Sequence, residues 1–256
     1  MGSPPLNRHA RRTPRIAIET VKNQYVGDVN DFLKYGLIRT LTTEGSRPSF
    51  VAWLLTPDDL SRDGRKLSYL EAPKKWRHRD PTLFDELQRL VAEGTRSVSA
   101  VADAGLLPGA LFHQEFVPLQ VESRRQLFDD LLRSARGQEL VFFDPDNGFE
   151  VQSCPAGRKG SDKYLLWREL SDTYRVGHSV LVYQHFGREH RESFTDRIAR
   201  RIAEATGAGA VFAFATSQVV FFLVAQHSET AYYEERANIV ARQWQDLMTP
   251  RRLVIA

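Results

Sequence analysis

Acidic and polar residues collect at three places where apolar runs end, and their types define the chemistry they can do. The run 140–143 stops at Asp144-Pro145-Asp146-Asn147-Gly148. Two carboxylates two residues apart can share a hard cation such as magnesium. Alternatively, one carboxylate and the carbonyls around a proline can accept hydrogen bonds from a substrate amino group. The same five residues also suit a plain turn, with proline second and Asn-Gly at the end. A calcium loop is excluded, because its fifth ligand position would be Gly148 and its twelfth Pro155. The run 50–55 stops at Thr56-Pro57-Asp58-Asp59. The run 179–184 ends in Tyr183-Gln184 and is followed by His185, with Arg188 just beyond. His185 is the one histidine placed for acid, base or hydrogen-bond work. His78, His113, His178, His190 and His227 show no shared metal spacing.

A fourth cluster lies near the start. Tyr25-Val-Gly27-Asp28-Val-Asn-Asp31-Phe-Leu-Lys34-Tyr35-Gly36 is dense in polar groups where a helix begins. Asp31 and Lys34 are three apart and share a helical face. As an exposed ion pair they are worth a few tenths of a kcal/mol. As part of a ligand site, the helix N-terminus would meet an anionic group and Lys34 would add charge. Asp63-Gly64-Arg65-Lys66, followed by Tyr69, reads as a loop that either reaches over this edge or is solvated. Trp53, Trp167 and Trp244 read as core residues. The basic residues of 188–201 alternate with Glu189, Glu192 and Asp196, the pattern of a solvated helix face.

The elements that must position these groups follow from hydrophobic periodicity. Helical spacing predicts helices over 30–43, from the cap Asp80-Pro81 to a stop at Gly94, and over 123–135, 162–174, 188–205 and 229–247. Short continuous apolar runs predict buried strands at 50–55, 112–117, 140–143 and 179–184. Two further runs, 210–215 and 219–225, flank Thr216-Ser217-Gln218 and read as a β-hairpin. Strands that are apolar throughout, alternating with helices, argue for a parallel sheet covered on both faces, with one antiparallel strand near an edge. Ligands of such sheets bind beyond the carboxyl ends of the strands, which is where the three clusters converge.

Composition narrows the class. With 256 residues, 42% hydrophobic and 26% charged, the chain is an ordinary globular one. No apolar run approaches the roughly 18–20 residues of a membrane helix. The single cysteine, Cys154, excludes an internal disulfide and a Cys-rich zinc site. Residues 1–15 hold four arginines and no acid, so the net charge of +3 leaves the rest of the chain one unit negative. Residues 1–22 read as a basic flexible arm and 23–256 as a single α/β domain. Residues 1–15 lack the apolar stretch of a signal peptide, and the expected location is cytoplasmic.

The segment 25–36 resembles the opening of a family of largely uncharacterised bacterial proteins. Further marks of that family are Trp53-x-x-Thr56-Pro57-Asp58, Asp63-Gly64-Arg65, Tyr69-Leu70, Asp80-Pro81-x-Leu83, Phe143-Asp144-Pro145-Asp146-Asn147-Gly148 and Tyr183-Gln184-His185. More distantly, the chain is similar to class I S-adenosylmethionine-dependent methyltransferases, especially bacterial large-subunit ribosomal RNA adenine-N6 methyltransferases. Gly27, Asp31 and Lys34 match that family's Gly-x-x-x-Asp-x-x-Lys segment, which helps hold the cofactor. Asp144 and Pro145 match the start of its Asp-Pro-Pro-Tyr loop, and the hairpin at 210–225 matches its terminal hairpin. The chain departs where Asp146 and Asn147 replace Pro-Tyr, and where Thr56-Pro57-Asp58-Asp59 replaces a Gly-rich loop.

The resemblance implies a Rossmann-like α/β fold of class I methyltransferase type, with a mostly parallel central sheet, a C-terminal β-hairpin and helices on both faces. It implies S-adenosylmethionine near Gly27, Asp28, Asp31, Lys34 and Asp58, and an acceptor amino group on a nucleic-acid base of RNA or DNA. Asp144, Asp146, Asn147 and His185 would then be the catalytic set. Asp63, Arg65, Tyr183, Gln184 and Arg188 would contact substrate. The rival expectation is a magnesium-dependent nuclease or phosphoryl-transfer enzyme with Asp144 and Asp146 as ligands. A third is a catalytically inactive binding module on the same fold.

Overall fold

The computed structural model describes residues 26–57, 64 and 66–254. The arm 1–22 and Asp58, Asp63 and Arg65 lie outside the described residues. The strands are β1 (Ser49–Trp53), β2 (Ala110–His113), β3 (Leu140–Asp144), β4 (Gly148–Phe149), β5 (Tyr164–Leu165), β6 (Ser179–His185), β7 (Ala210–Ala215), β8 (Val219–Val224) and β9 (Thr249–Val254). The α-helices are α1 (Val29–Leu41), α2 (Pro73–Trp76), α3 (Pro81–Ala92), α4 (Val98–Asp103), α5 (Val121–Ser134), α6 (Trp167–Arg175), α7 (Arg191–Thr206) and α8 (Thr230–Gln243).

Seven strands form one sheet in the order β2-β1-β3-β6-β8-β7-β9, and β4 and β5 pair separately. The pairs β1–β2, β1–β3 and β3–β6 are parallel, whereas β8 runs antiparallel to both β6 and β7. The fold is Rossmann-like, with a mostly parallel sheet and a C-terminal hairpin. It also has β9, antiparallel to β7 at the edge, which extends the expected single antiparallel strand to two. β9 escapes a pattern search because Thr249-Pro-Arg-Arg carries too little apolar alternation to read as a strand.

The core lies on both faces of the sheet, and the side-chain period of two divides it. Val51, Trp53, Leu140, Phe142, Leu181 and Tyr183 pack with α1, α3 and α8. Their sequence neighbours Phe50, Ala52, Val141, Phe143, Val180 and Val182 pack with α5, α6 and α7. Strands buried on both sides have no polar face, which is why they read as unbroken apolar runs. Burying each of these large side chains contributes roughly 1.5–3 kcal/mol.

The helix starts follow local chemistry. Asp80 caps α3 by accepting the Leu83 N–H, and Pro81 fills the first helical position. In α1, Gly36 is required by close approach: a Cβ there would lie 2.2 Å from the Trp244 ring that closes the bundle behind it. The helix expected over 162–174 starts only at Trp167, because Tyr164 and Leu165 pair with Gly148 and Phe149 instead. The strand expected over 112–117 is Ala110–His113, followed by a bridge between Leu55 and Phe116.

Candidate functional site

The chain runs from β1 to β2 on one side, then returns to place β3 on the other side of β1. The sheet order therefore reverses between β1 and β3. Crevices form at such switch points because the flanking connections diverge to opposite faces. Here the described residues bound a cleft of about 900 Å³ beyond the carboxyl ends of β1, β3 and β6. Its volume is that of a site for a nucleotide-sized ligand.

One wall is the start of α1. Asp28 caps the helix, its Oδ1 accepting the N–H groups of Asn30 (2.8 Å) and Asp31 (3.1 Å). Gly27 donates its N–H to Asp31 Oδ2 (3.1 Å), and its carbonyl accepts the Tyr69 hydroxyl (3.0 Å). Gly27 thus braces the helix start rather than lining the cleft. Lys34 reaches from α1 to the end of β3. Its Nζ lies 2.6 Å from Asp31 Oδ1 and 2.7 Å from Asp144 Oδ2.

The three charges are buried together, with side chains 4–16% exposed. Burial opposes the Lys34 charge, but Asp144 and Asp31 outweigh it and hold the ammonium well above its ordinary value. Burial pushes both carboxyls above theirs, against the pull of Lys34. Lys34 binds one Asp144 oxygen. The other, Oδ1, takes no hydrogen bond from the described residues.

The loop after β3 is held from three sides. Thr56 at the end of β1 donates to Asp146 Oδ2 (2.8 Å). The Asn147 N–H donates to the Lys163 carbonyl (2.9 Å), while Asn147 itself lines the cleft. Gln184 lies behind the loop. Its Nε2 donates to the carbonyls of Asn147 (3.2 Å) and His185 (2.7 Å), and its Oε1 accepts the Phe149 N–H (2.7 Å). Both ends of that amide are engaged in shaping the loop.

Gly148 makes this clamp possible. It sits at φ +99°, and a Cβ there would fall 2.2 Å from Gln184 Oε1. Gly148→Ala should therefore lower stability by roughly 2–4 kcal/mol, from left-handed strain plus displaced hydrogen bonds. Urea unfolding checks this, and an unchanged midpoint would mean that the clamp does not hold the loop.

β6 supplies the far wall. Tyr183 is buried beside Asp144. Burial and the Asp144 charge push its phenol far above the ordinary value, so it remains neutral. His185 is exposed at the strand end, with its ring perpendicular to Tyr183 at 5.1 Å. Desolvation of its inner side holds the imidazole below its ordinary value, although Asp144 and Asp146 pull it up.

The cleft thus gathers Asp28, Asp31, Lys34, Asp144, Asp146, Asn147, Tyr183 and His185. Arg188 is exposed beyond it and is not among its walls. Asn30, Lys66 and Gln218 line the cleft without having been singled out. Gln218 could have been found: β8 is antiparallel to β6, with His185 opposite Val219, so the hairpin tip must stand at the same edge. Among the described residues, no group of three or more His, Cys, Asp or Glu side chains is arranged to hold a metal ion, and no helix is long and apolar enough to cross a membrane.

No family model and no curated protein matches the chain. Among solved structures it is similar to a crystal structure of protein LPL1258 from Legionella pneumophila str. Philadelphia 1, described with family model DUF519. That likeness has a TM-score of 0.45 at 11% identity, covering 90% of this chain and 97% of the other.

Proposed function

We propose that this chain is an S-adenosylmethionine-dependent methyltransferase acting on an amino group of a nucleic-acid base. The observation that carries the reading is the state of Asp144. It stands at the switch-point cleft with one oxygen bound to Lys34 and the other open. A carboxylate so held can accept an N–H of an acceptor amino group through Oδ1 and fix its lone pair in one direction. The nucleic-acid acceptor follows from the resemblance of the segments at 27–34 and 144–145.

The cleft residues fit the cofactor. The described walls carry four carboxylates, of Asp28, Asp31, Asp144 and Asp146, against three lysine ammonium groups. That balance suits a ligand with one net positive charge. When bound, S-adenosylmethionine supplies an electrophilic methyl group beside a cationic sulfur. Asp28, Asn30 and Asp31, at the start of α1, would hold its amino-acid end. No Gly-rich turn follows β1, and Thr56 is tied to Asp146 there, so binding on that side relies on side chains.

A magnesium site is the weaker reading for the same pair of residues. A divalent cation on Asp144 would meet the Lys34 ammonium 2.7 Å from the carboxylate, and repulsion at that range is severe. Asp146 also has one oxygen bonded to Thr56. Thermal melting separates the two. S-adenosylmethionine at millimolar concentration should raise Tm, while magnesium should leave it unchanged. A rise with magnesium that is lost in Asp146→Asn, and none with S-adenosylmethionine, would overturn the proposal.

A further inference from the structure

The loop that presents Asp144 offers no ring against which a flat acceptor could lie. Asp146 and Asn147 follow Pro145, and Phe149, the nearest aromatic in sequence, is unavailable. It is buried and stacked on Trp167 at 4.4 Å with the planes 7° apart. Trp53, opposite Asp144 in the sheet register, is likewise buried and stacked on Phe112. Tyr183 is buried too, with its ring turned edge-on to Phe221 and His185.

His185 differs from all of these. It is exposed, it lines the cleft, and it follows directly on the strand that neighbours β3. Its plane is set by two contacts. The ring stands at 87° to Tyr183, and a hydrogen bond joins it to the backbone of Asp146 in the Asp144 loop. Among the described residues no aromatic ring covers its faces. An imidazole held this way, beside a carboxylate with an open oxygen, is a platform for a planar ring whose amino group points at that oxygen.

Resting on the methyltransferase reading of this cleft, we infer that His185 is the acceptor-stacking residue. The substrate class is an unpaired nucleobase bearing an exocyclic amino group, held flat against the imidazole while Asp144 Oδ1 accepts an N–H of that group. Stacking requires a face, not a proton. Its neutral state near pH 7 agrees with this, since burial holds the imidazole below its ordinary value.

The test titrates single-stranded oligoadenylate and oligocytidylate into protein carrying S-adenosylhomocysteine, which prevents turnover. Wild type is compared with His185→Ala, His185→Gln and His185→Phe. His185 is exposed, so all three should fold, which circular dichroism verifies. The wild type should bind at least one of the two. His185→Ala and His185→Gln should bind about tenfold more weakly, the effect of losing one base–ring stack, and His185→Phe should restore affinity. If His185→Gln binds like wild type while His185→Phe does not, the ring acts by hydrogen bonding and the inference is overturned. It is overturned equally if the wild type binds neither strand, or if His185→Ala binds as well as wild type. S-adenosylmethionine affinity, measured on the same four proteins, should not vary. Its absence from the wild type would defeat the methyltransferase reading, whereas a loss confined to the strands defeats only the role of His185.

Discussion

Asp144→Asn should lower the rate of methyl transfer about 10²–10³-fold while leaving S-adenosylmethionine affinity within about threefold of wild type. The amide keeps the size of the carboxylate, and Lys34 keeps Asp31 as a counter-ion at 2.6 Å. The fold should therefore lose only about 1 kcal/mol. What disappears is the negative oxygen aimed into the cleft, which polarises the acceptor amino group as charge develops on its nitrogen. Single-turnover transfer of a labelled methyl group, with urea unfolding beside it, separates the outcomes. An unchanged rate would remove Asp144 from the chemistry. A collapse of stability would make it a structural partner of Lys34. Cofactor binding without transfer, unaffected by the substitution, would favour a binding module on this fold.

Lys34→Met should have the largest effect on stability, a loss of about 3–5 kcal/mol at pH 8, because two buried carboxylates lose their shared cation. Its pH dependence has a definite sign. Burial raises Asp31 and Asp144 above their ordinary values in the folded protein. Groups shifted upward bind protons more tightly when folded, so their contribution is present in acid and falls as pH rises through the raised values. Without Lys34 that rise is larger still. The deficit of Lys34→Met should therefore be greatest above the raised carboxyl values and shrink on acidification, as Asp31 and Asp144 take up protons. Lys34 itself stays charged throughout in wild type, since its raised value places its own loss in the alkaline range. Urea unfolding at pH 8 and at mildly acidic pH measures both deficits. A deficit that grows in acid would contradict the charge assignment. Asp144→Asn added to Lys34→Met should recover part of the loss at pH 8, and strict additivity of the two would deny the coupling.

Much of this site is legible from residue order because strand ends are easy to read. Leu140-Val-Phe-Phe143 and Ser179-Val-Leu-Val182 are apolar on both faces, so they must be central, and a parallel sheet brings the residues after them to one edge. Asp144, Asn147 and His185 follow from that geometry alone. The meeting of Lys34 with Asp144 does not, because 110 residues separate them and only the packing of α1 onto the sheet joins them. Spacing gives Lys34 an exposed partner three residues back, whereas the fold buries both. Gln184 shows the opposite limit. A polar residue at a strand end looks free to meet substrate, yet a buried amide must satisfy its hydrogen bonds, and the loop at 147–149 satisfies them. The shift of the sixth helix to Trp167 has a similar cause: Tyr164 and Leu165 continue a helical period, but the Gly148–Phe149 backbone needs partners.

The central claim is that the β1–β3 switch-point cleft holds S-adenosylmethionine in front of Asp144. Calorimetric titration of purified, nucleotide-stripped protein with S-adenosylmethionine tests it most directly. The account predicts one site per chain with micromolar affinity, about −8 kcal/mol. It also predicts at least tenfold weaker binding in Asp31→Asn, whose carboxylate joins Lys34 to the start of α1. No heat and no rise in Tm up to millimolar ligand would contradict the account and return Asp144 and Asp146 to the metal reading.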